Sequence, residues 1–403
     1  MKIKIGKCTP QGRVFAPPSK SYAHRLLICS ALAGDSAVID GISDSEDMAA
    51  TLDCIRSLGG CFTKNGHSAV FTKGSCLSAD GKELFCRESG STLRFFIPIV
   101  LALGGRVRFY GTERLMTRGF SVYEEICKEQ NIVFKYDGNS LVLDGCLKSG
   151  EFKVRGDISS QFITGLMLAL PMLRGDSVIK VTTELESRPY IDITIDALSR
   201  YGIEIIEKEK NIFYIRGGQS YRPCNMTVEG DYSNAAFLDA FNYVGGRVDI
   251  LGLNEASCQG DKAYKKLFSL LDTEAPVLDI SSCPDLGPVL FALAGVKNGA
   301  YISGTRRLRI KESDRVLAMS SELSKFGITT EIDENSVKIV PPKKLKKPSE
   351  ALWGHNDHRI VMALSVIATL TGAEIDGAEA VAKSYPDFFE VIRTLGTEVT
   401  YEQ

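Results

Sequence analysis

One pattern recurs six times along this chain of 403 residues: a short polar start rich in Gly, Ser or Asp, an apolar run with helical spacing, and a closing Gly. It reads SKSYAHRLLICSALAG from Ser19, SGSTLRFFIPIVLALGG from Ser89 and SSQFITGLMLALPMLRG from Ser159. It returns as DYSNAAFLDAFNYVGG from Asp231, PDLGPVLFALAGVKNG from Pro284 and HNDHRIVMALSVIATLTG from His355. The copies lie about 70 residues apart, with one shorter interval between the fourth and the fifth. A second pattern alternates with the first, an amphipathic helix that ends near Leu-Gly and runs into β-branched residues. It is plain from Met48, Tyr190, Val316 and Phe388, and weaker from Ser121 and Ala263. Each unit therefore reads helix, strand, helix, strands, with Gly as the stop signal.

Six α/β units divide naturally into two domains of three. The last unit runs out one strand early, while the first is preceded by a spare alternating strand, Lys2-Ile3-Lys4-Ile5. The expected domains are 19–229, and 1–18 with 230–403, the N-terminal strand completing the second. The chain would then cross twice, near 15–19 and 228–231, forming a two-strand hinge beside a cleft suited to a ligand.

Composition narrows the function. The 48 Lys and Arg nearly balance 50 Asp and Glu, leaving a net charge of −2. That argues against a nucleic-acid binder, which needs a strongly basic surface to displace counterions. The N-terminus MKIKIG lacks an apolar signal region, and the stretch Phe95 to Leu103 carries Pro98 and is too short to cross a bilayer. A cytoplasmic protein without a membrane partner is expected. The eleven Cys are scattered without a C-x-x-C pair, and read as reduced, mostly buried apolar residues. The Pro-bounded basic stretch from Pro341 reads as a solvated loop or edge strand.

The helix starts of the first pattern are polar. Ser19-Lys20-Ser21 with Arg25, Ser89-Gly90-Ser91-Thr92 with Arg94, and Ser159-Ser160-Gln161 place hydroxyls and cations where unpaired backbone N–H groups already favour anions. A single cluster of this kind is usually a helix cap; three in equivalent slots point to anion recognition. Further cations stand at Arg114 and Arg118, at Arg307 to Arg315, and at Arg359. Arg clusters suit carboxylate and phosphate, although Glu312 and Arg315 also have the spacing of an ordinary helix-surface ion pair. His355 and His358 lack a ligand set with metal spacing, and neither a P-loop nor a dinucleotide-binding glycine motif is present. Neither metal nor cofactor is expected, so catalysis would rest on positioning, electrostatics and acid–base groups.

The segments SKSYAHR, SGSTLR, RLMTR, SSQFITG, SRPYIDIT, PDLGP, RIKESDR, NDHRI and AKSYPDFF run in order over nearly the whole chain. Together they resemble the 5-enolpyruvylshikimate-3-phosphate synthases. The resemblance implies two inside-out α/β domains of three repeated units each, the enolpyruvyl transferase fold, which close on substrate. It implies transfer of the enolpyruvyl group of phosphoenolpyruvate to the 5-hydroxyl of shikimate 3-phosphate, with release of phosphate.

By the same resemblance Lys20, Ser21, Arg25, Ser159, Ser160, Gln161, Ser187, Asp285 and Lys311 match positions that hold shikimate 3-phosphate. Lys20, Gly90, Arg118, Gln161, Arg315, Arg359 and Lys383 match the phosphoenolpyruvate site. Lys20, Asp285, Glu312 and Lys383 match the catalytic group, with Asp285 expected at the sugar hydroxyls and Glu312 in proton traffic at the vinyl carbon. Two phosphates and two carboxylates account for so many cations, since each charge-assisted hydrogen bond contributes roughly 1.5–3 kcal/mol. Gly90 keeps the small residue beside which the inhibitor glyphosate fits, so inhibition competitive with phosphoenolpyruvate is expected, in a monomeric enzyme. Three positions depart from the commonest pattern: His24 for Asn, Arg87-Glu88 for Gly-Asn, and Arg307 for Asn. The nearest alternative is a UDP-N-acetylglucosamine enolpyruvyl transferase, whose reactive Cys loop and K-N start contrast with Lys20-Ser21 and the SSQ triplet here. A silent anion-binding protein on the same repeats is the other.

Overall fold

The computed structural model describes residues 1–74 and 76–402. The chain divides into two compact units, Lys20–Val228, and Met1–Ser19 with Glu229–Gln403.

Each copy of the first sequence pattern forms a core helix. In the unit Lys20–Val228 these are α1 (Lys20–Ala33), α2 (Gly90–Leu103) and α3 (Ser160–Ala169). In the other unit they are α4 (Tyr232–Tyr243), α5 (Gly287–Val296) and α6 (His358–Thr371). A helix that is apolar on every side has to be buried, and α5 is buried at every residue from Gly287 to Gly295. The helices α2, α3, α4 and α6 start on a side chain that accepts a backbone N–H: Ser89, Ser159, Asp231 and Asp357. The amphipathic helices of the second pattern lie outside, among them Glu46–Ser57, Arg188–Arg200 and Arg315–Lys325. The weaker copies are helical too, at Ser121–Glu129 and Tyr264–Leu270.

The sheets follow one rule. A leading strand pairs in parallel with the strand after the core helix, which pairs antiparallel with an outer hairpin. In the unit Lys20–Val228 this gives Lys82–Phe85, Gly105–Tyr110, Ser140–Gly145 and Val133–Tyr136 as neighbours in that order. Glu151–Val154, Ser177–Val181, Ile212–Ile215 and Ile205–Glu209 repeat it, as do Met226–Thr227, Ala37–Asp40, Ser68–Phe71 and Phe62–Asn65.

In the second unit Val277–Asp279, Ala300–Ser303, Ser336–Val340 and Thr329–Ile332 follow the rule directly. The sheet beside α6 runs Leu352–Trp353, Ala373–Asp376, Lys2–Ile5, Val399–Glu402. The first strand of the chain thus fills the third place, with Ile3 and Ile5 fully buried. Arg247–Leu251 pairs only with Gln11–Phe15. This fourth repeat lacks its hairpin among the described residues, which explains the shorter interval before the fifth.

Close approach of α2 and α3 depends on Gly165, where a Cβ would fall 2.5 Å from the carbonyl oxygen of Arg94 and 3.0 Å from Pro98 Cγ. The cysteines depart from expectation. Only Cys29, Cys54, Cys86, Cys127 and Cys283 are buried, while Cys61, Cys76 and Cys146 are exposed; all eleven are free thiols. The exposed three stand in loops or at strand starts, where no core face demands them. The basic stretch after Pro341 is an irregular loop up to Leu352. No helix among the described residues is long and apolar enough to cross a membrane.

Candidate active site

In the unit Lys20–Val228, α1 opens on Lys20, whose Nζ donates to Asp47 Oδ2 at 2.8 Å. Arg25, one turn on, is buried. Its guanidinium donates to the Ser21 carbonyl (2.6 Å), Thr194 Oγ1 (2.9 Å) and the Tyr190 carbonyl (3.0 Å). Arg25 thereby ties the first turn of α1 to Arg188–Arg200. That helix is entered through Ser187, buried and at φ 57°. A non-glycine residue held in this left-handed region costs about 1–3 kcal/mol, and such strain gathers at functional sites.

Gln161, at the start of α3, links two helix starts. Its Oε1 accepts from Arg94 Nη1 at 2.6 Å and its Nε2 donates to Ser91 Oγ at 2.9 Å. Arg94 also donates to the carbonyl of Arg118 at 2.9 Å, and the Arg118 guanidinium lies over Gly90, 2.9 Å from where a Cβ would be. The structure therefore brings Gly90, Arg118 and Gln161 together, with Ser159 capping α3 and Ser160 buried beside it.

Two of the three departures from the commonest pattern have structural roles here. Arg87, at φ 51°, donates to Glu46 (2.5 Å) and Asp53 (2.9 Å). The loop before Gly90 is thus pinned to the outer helix Glu46–Ser57, and the bond to Asp53 raises the Arg87 pKa although partial burial opposes it. His24 is buried against Thr51.

In the other unit the charged residues form one cluster. Arg315, buried at 1% exposure, donates to Asp285 Oδ1 (2.9 Å), Glu312 Oε2 (2.7 Å) and Asp357 Oδ2 (2.8 Å). Asp285 also receives Arg359 Nη2 at 3.0 Å and Lys311 Nζ at 3.3 Å. The Glu312–Arg315 pair is therefore no helix-surface ion pair: Asp314 caps the helix that begins at Arg315, and Glu312 reaches back from the preceding loop. Burial, aided by Arg315 and Arg307 and opposed by Asp285, pushes the Lys311 ammonium down to about 8. Here the third departure, Arg307, acts on Lys311 through its charge. Burial, reinforced by Asp285, pushes the neighbouring Asp261 carboxyl up to about 7.

The turn into α6 holds two consecutive left-handed residues, His355 at φ 50° and Asn356 at φ 52°. Lys383 Nζ donates to the Asn356 carbonyl at 2.6 Å. Buried Glu322 fixes the turn from behind, accepting the backbone N–H of Trp353 at 2.9 Å and facing His355 Nε2 at 3.1 Å and Lys325 Nζ at 2.9 Å. Burial opposes its charge, yet these bonds from His355, Lys325 and Trp353 hold its carboxyl below the usual range. His355 is thus engaged by a carboxylate, and no cluster of three or more His, Cys, Asp or Glu able to hold a metal occurs among the described residues.

Sequence reasoning passed over Asp357, Asp47 and Glu322. Asp357 stood inside the quoted NDHRI segment, just before the apolar run of α6, and the available signal was an Asp in the helix-cap position. Asp47 and Glu322 carried none, because their partners are brought near only by folding.

The sequence matches the family model described as EPSP synthase (3-phosphoshikimate 1-carboxyvinyltransferase) over residues 7–275 and 270–392. The chain belongs to the EPSP synthase family. Among its relatives, a 3-phosphoshikimate 1-carboxyvinyltransferase of Clostridium kluyveri is 40% identical over 98% of both chains. One of Clostridioides difficile is 39% identical over the same shares. An EPSP synthase structure from Acinetobacter baumannii superposes with a TM-score of 0.78 at 21% identity, covering 99% of this chain and 100% of that one. The enolpyruvyl transferase NikO of Streptomyces tendae gives 0.78 at 15% identity, covering 100% and 98%. These two establish the enolpyruvyl transferase fold of repeated α/β units.

Proposed function

We propose that this EPSP synthase family member transfers the enolpyruvyl group of phosphoenolpyruvate to the 5-hydroxyl of shikimate 3-phosphate. The observation that carries the reading is the cluster of Arg315, Arg359 and Lys311 around Asp285 and Glu312, cations for anionic ligands beside carboxylates for proton transfer. In the proposed division, Ser21, Arg25, Ser159, Ser160, Gln161, Ser187 and Lys311 serve shikimate 3-phosphate. Gly90, Arg118, Gln161, Arg315, Arg359 and Lys383 serve phosphoenolpyruvate.

The reaction adds a proton to the methylene carbon of phosphoenolpyruvate, making its neighbour electrophilic, and the 5-hydroxyl attacks there as it loses its proton. The tetrahedral intermediate then gives up a proton from the new methyl group and expels phosphate. Asp285, with Lys20, would take the hydroxyl proton. Glu312 would move the proton at carbon, with Lys383 neutralising the departing phosphate.

Purified protein given phosphoenolpyruvate should release phosphate with shikimate 3-phosphate and none with UDP-N-acetylglucosamine. The opposite preference would overturn the reading. Lys20→Ala, Glu312→Ala and Lys383→Ala should each lower kcat by about a hundredfold or more. Glyphosate should compete with phosphoenolpyruvate, and unchanged turnover at a large excess of it would count against the assignment of Gly90. We place the enzyme in the cytoplasm, as a monomer, which light scattering would test.

A further inference from the structure

Three buried hydroxyls form a chain that begins at the imidazole of His24. His24 Nδ1 lies 2.7 Å from Thr51 Oγ1, and Thr51 Oγ1 lies 2.8 Å from Thr92 Oγ1. The Thr92 hydroxyl donates to Ser89 Oγ at 2.8 Å. All four side chains are buried, Thr51 and Thr92 completely.

A hydroxyl has one proton to give. That of Thr92 goes to Ser89, so the bond between Thr51 and Thr92 is donated by Thr51. Thr51 then offers His24 only a lone pair, and the imidazole must donate through Nδ1–H. The remaining nitrogen, Nε2, is buried without a hydrogen-bond partner. A bare lone pair there costs less than a buried N–H with nothing to accept it, and an imidazolium would leave that N–H in place. Burial, with the positive charges of Lys20 and Arg25, also holds the His24 pKa well below its usual value.

At the far end Ser89 caps α2. Its Oγ accepts the Thr92 hydroxyl and the Thr92 backbone N–H, the latter at 3.3 Å. With both lone pairs engaged, what Ser89 still has to offer is its own proton. Run in the opposite sense, the chain would use that proton on Thr92 and leave an oxygen lone pair at the helix start. Toward an anion, one arrangement attracts and the other repels.

We propose that His24 is a positioning residue: it sets the direction of the Thr51–Thr92–Ser89 chain so that Ser89 presents an O–H donor to the anionic ligand at the start of α2. The proposal rests on the reading that this helix start, with Gly90 and Arg118, serves phosphoenolpyruvate. It gives His24 a specific task where the family more often has Asn.

The test uses the full chain. Thr51→Val keeps the shape and removes the middle hydroxyl, and His24→Leu removes the first donor. Each should raise KM for phosphoenolpyruvate about tenfold while KM for shikimate 3-phosphate stays within about twofold. The double variant should be no worse than the poorer single one, because one chain is broken either way. His24→Asn, whose amide can donate from the Nδ1 position, should restore the wild-type value. Additive losses, or equal losses for both substrates, would overturn the proposal. Gly90→Ala separates it from the reading beneath. If that substitution leaves KM for phosphoenolpyruvate unchanged, the assignment of the α2 start is wrong. If it raises KM while Thr51→Val does not, only the hydroxyl chain is wrong. Nitrogen NMR of the unaltered protein does not depend on variant folding. At neutral pH the signal absent from His24→Asn should show the neutral Nδ1–H tautomer; an Nε2–H or imidazolium pattern would sink the idea.

Discussion

At Lys311 the surroundings work against the residue's ordinary charge. Its ammonium, brought to about 8 by burial and by Arg315 and Arg307, is protonated at neutral pH but loses its charge well below the value near 10.4 of a free lysine. A phosphate ligand favours the charged form, so shikimate 3-phosphate binding should take up protons above pH 8. The phosphate itself is fully ionised there, so the affinity should fall by up to about tenfold per pH unit. Lys311→Arg, charged throughout, should flatten that slope. Titration calorimetry in buffers of differing ionisation enthalpy reads the proton uptake directly, and a pH-independent affinity would remove Lys311 from the site. Linkage gives stability the opposite trend: the unfolded chain holds this proton up to higher pH, so the Lys311 contribution rises between about pH 8 and 10.

Among elements, the core helices, their order and their caps were open to reading from the chain, because the 3.6-residue spacing and the Ser or Asp starts are local properties. The short interval between the fourth and fifth copies was visible too, but not its cause, the hairpin that the fourth repeat lacks among the described residues, since each unit reads helix, strand, helix, strands. The left-handed turn at His355-Asn356 was not: His and Asn tolerate positive φ better than most residues, but they do not require it, and Glu322, far along the chain, supplies the restraint. Glu322→Ala should therefore cost about 1–3 kcal/mol by leaving the Trp353 N–H without its acceptor, measured by urea denaturation. It should also raise KM for phosphoenolpyruvate through the relaxed turn beside Arg359 and Lys383. Gly165→Ala tests the contact of α2 with α3. Its Cβ would meet a backbone carbonyl that cannot step aside, so a loss of about 1–3 kcal/mol is expected.

For the whole molecule, near-neutral composition conceals local concentration. Of the cations that the motifs placed at helix starts and loops, several arrive already paired, Arg315 with three carboxylates and Lys20 with Asp47. Sequence could locate the positive groups and the Glu312–Arg315 spacing, but not the partners Asp47, Asp285 and Asp357, which come from segments tens of residues away. The strand Lys2–Ile5 joins the two ends of the chain in one sheet. Ile3→Ala with Ile5→Ala should cost about 2–5 kcal/mol for each side chain and speed hydrogen exchange at Ala373–Asp376 and Val399–Glu402. Unaltered exchange there would show that the sheet does not need its first strand.

That pairing also bears on how the protein responds to force. Lys2 lies opposite Glu402 in an antiparallel ladder, so tension applied through the two ends would load one pair of residues at a time, opening the sheet like a zip. A molecule pulled from Lys2 and Glu402 should yield at low force, beginning at that pair, whereas attachment points that shear the same strands lengthwise would meet all the ladder's hydrogen bonds at once.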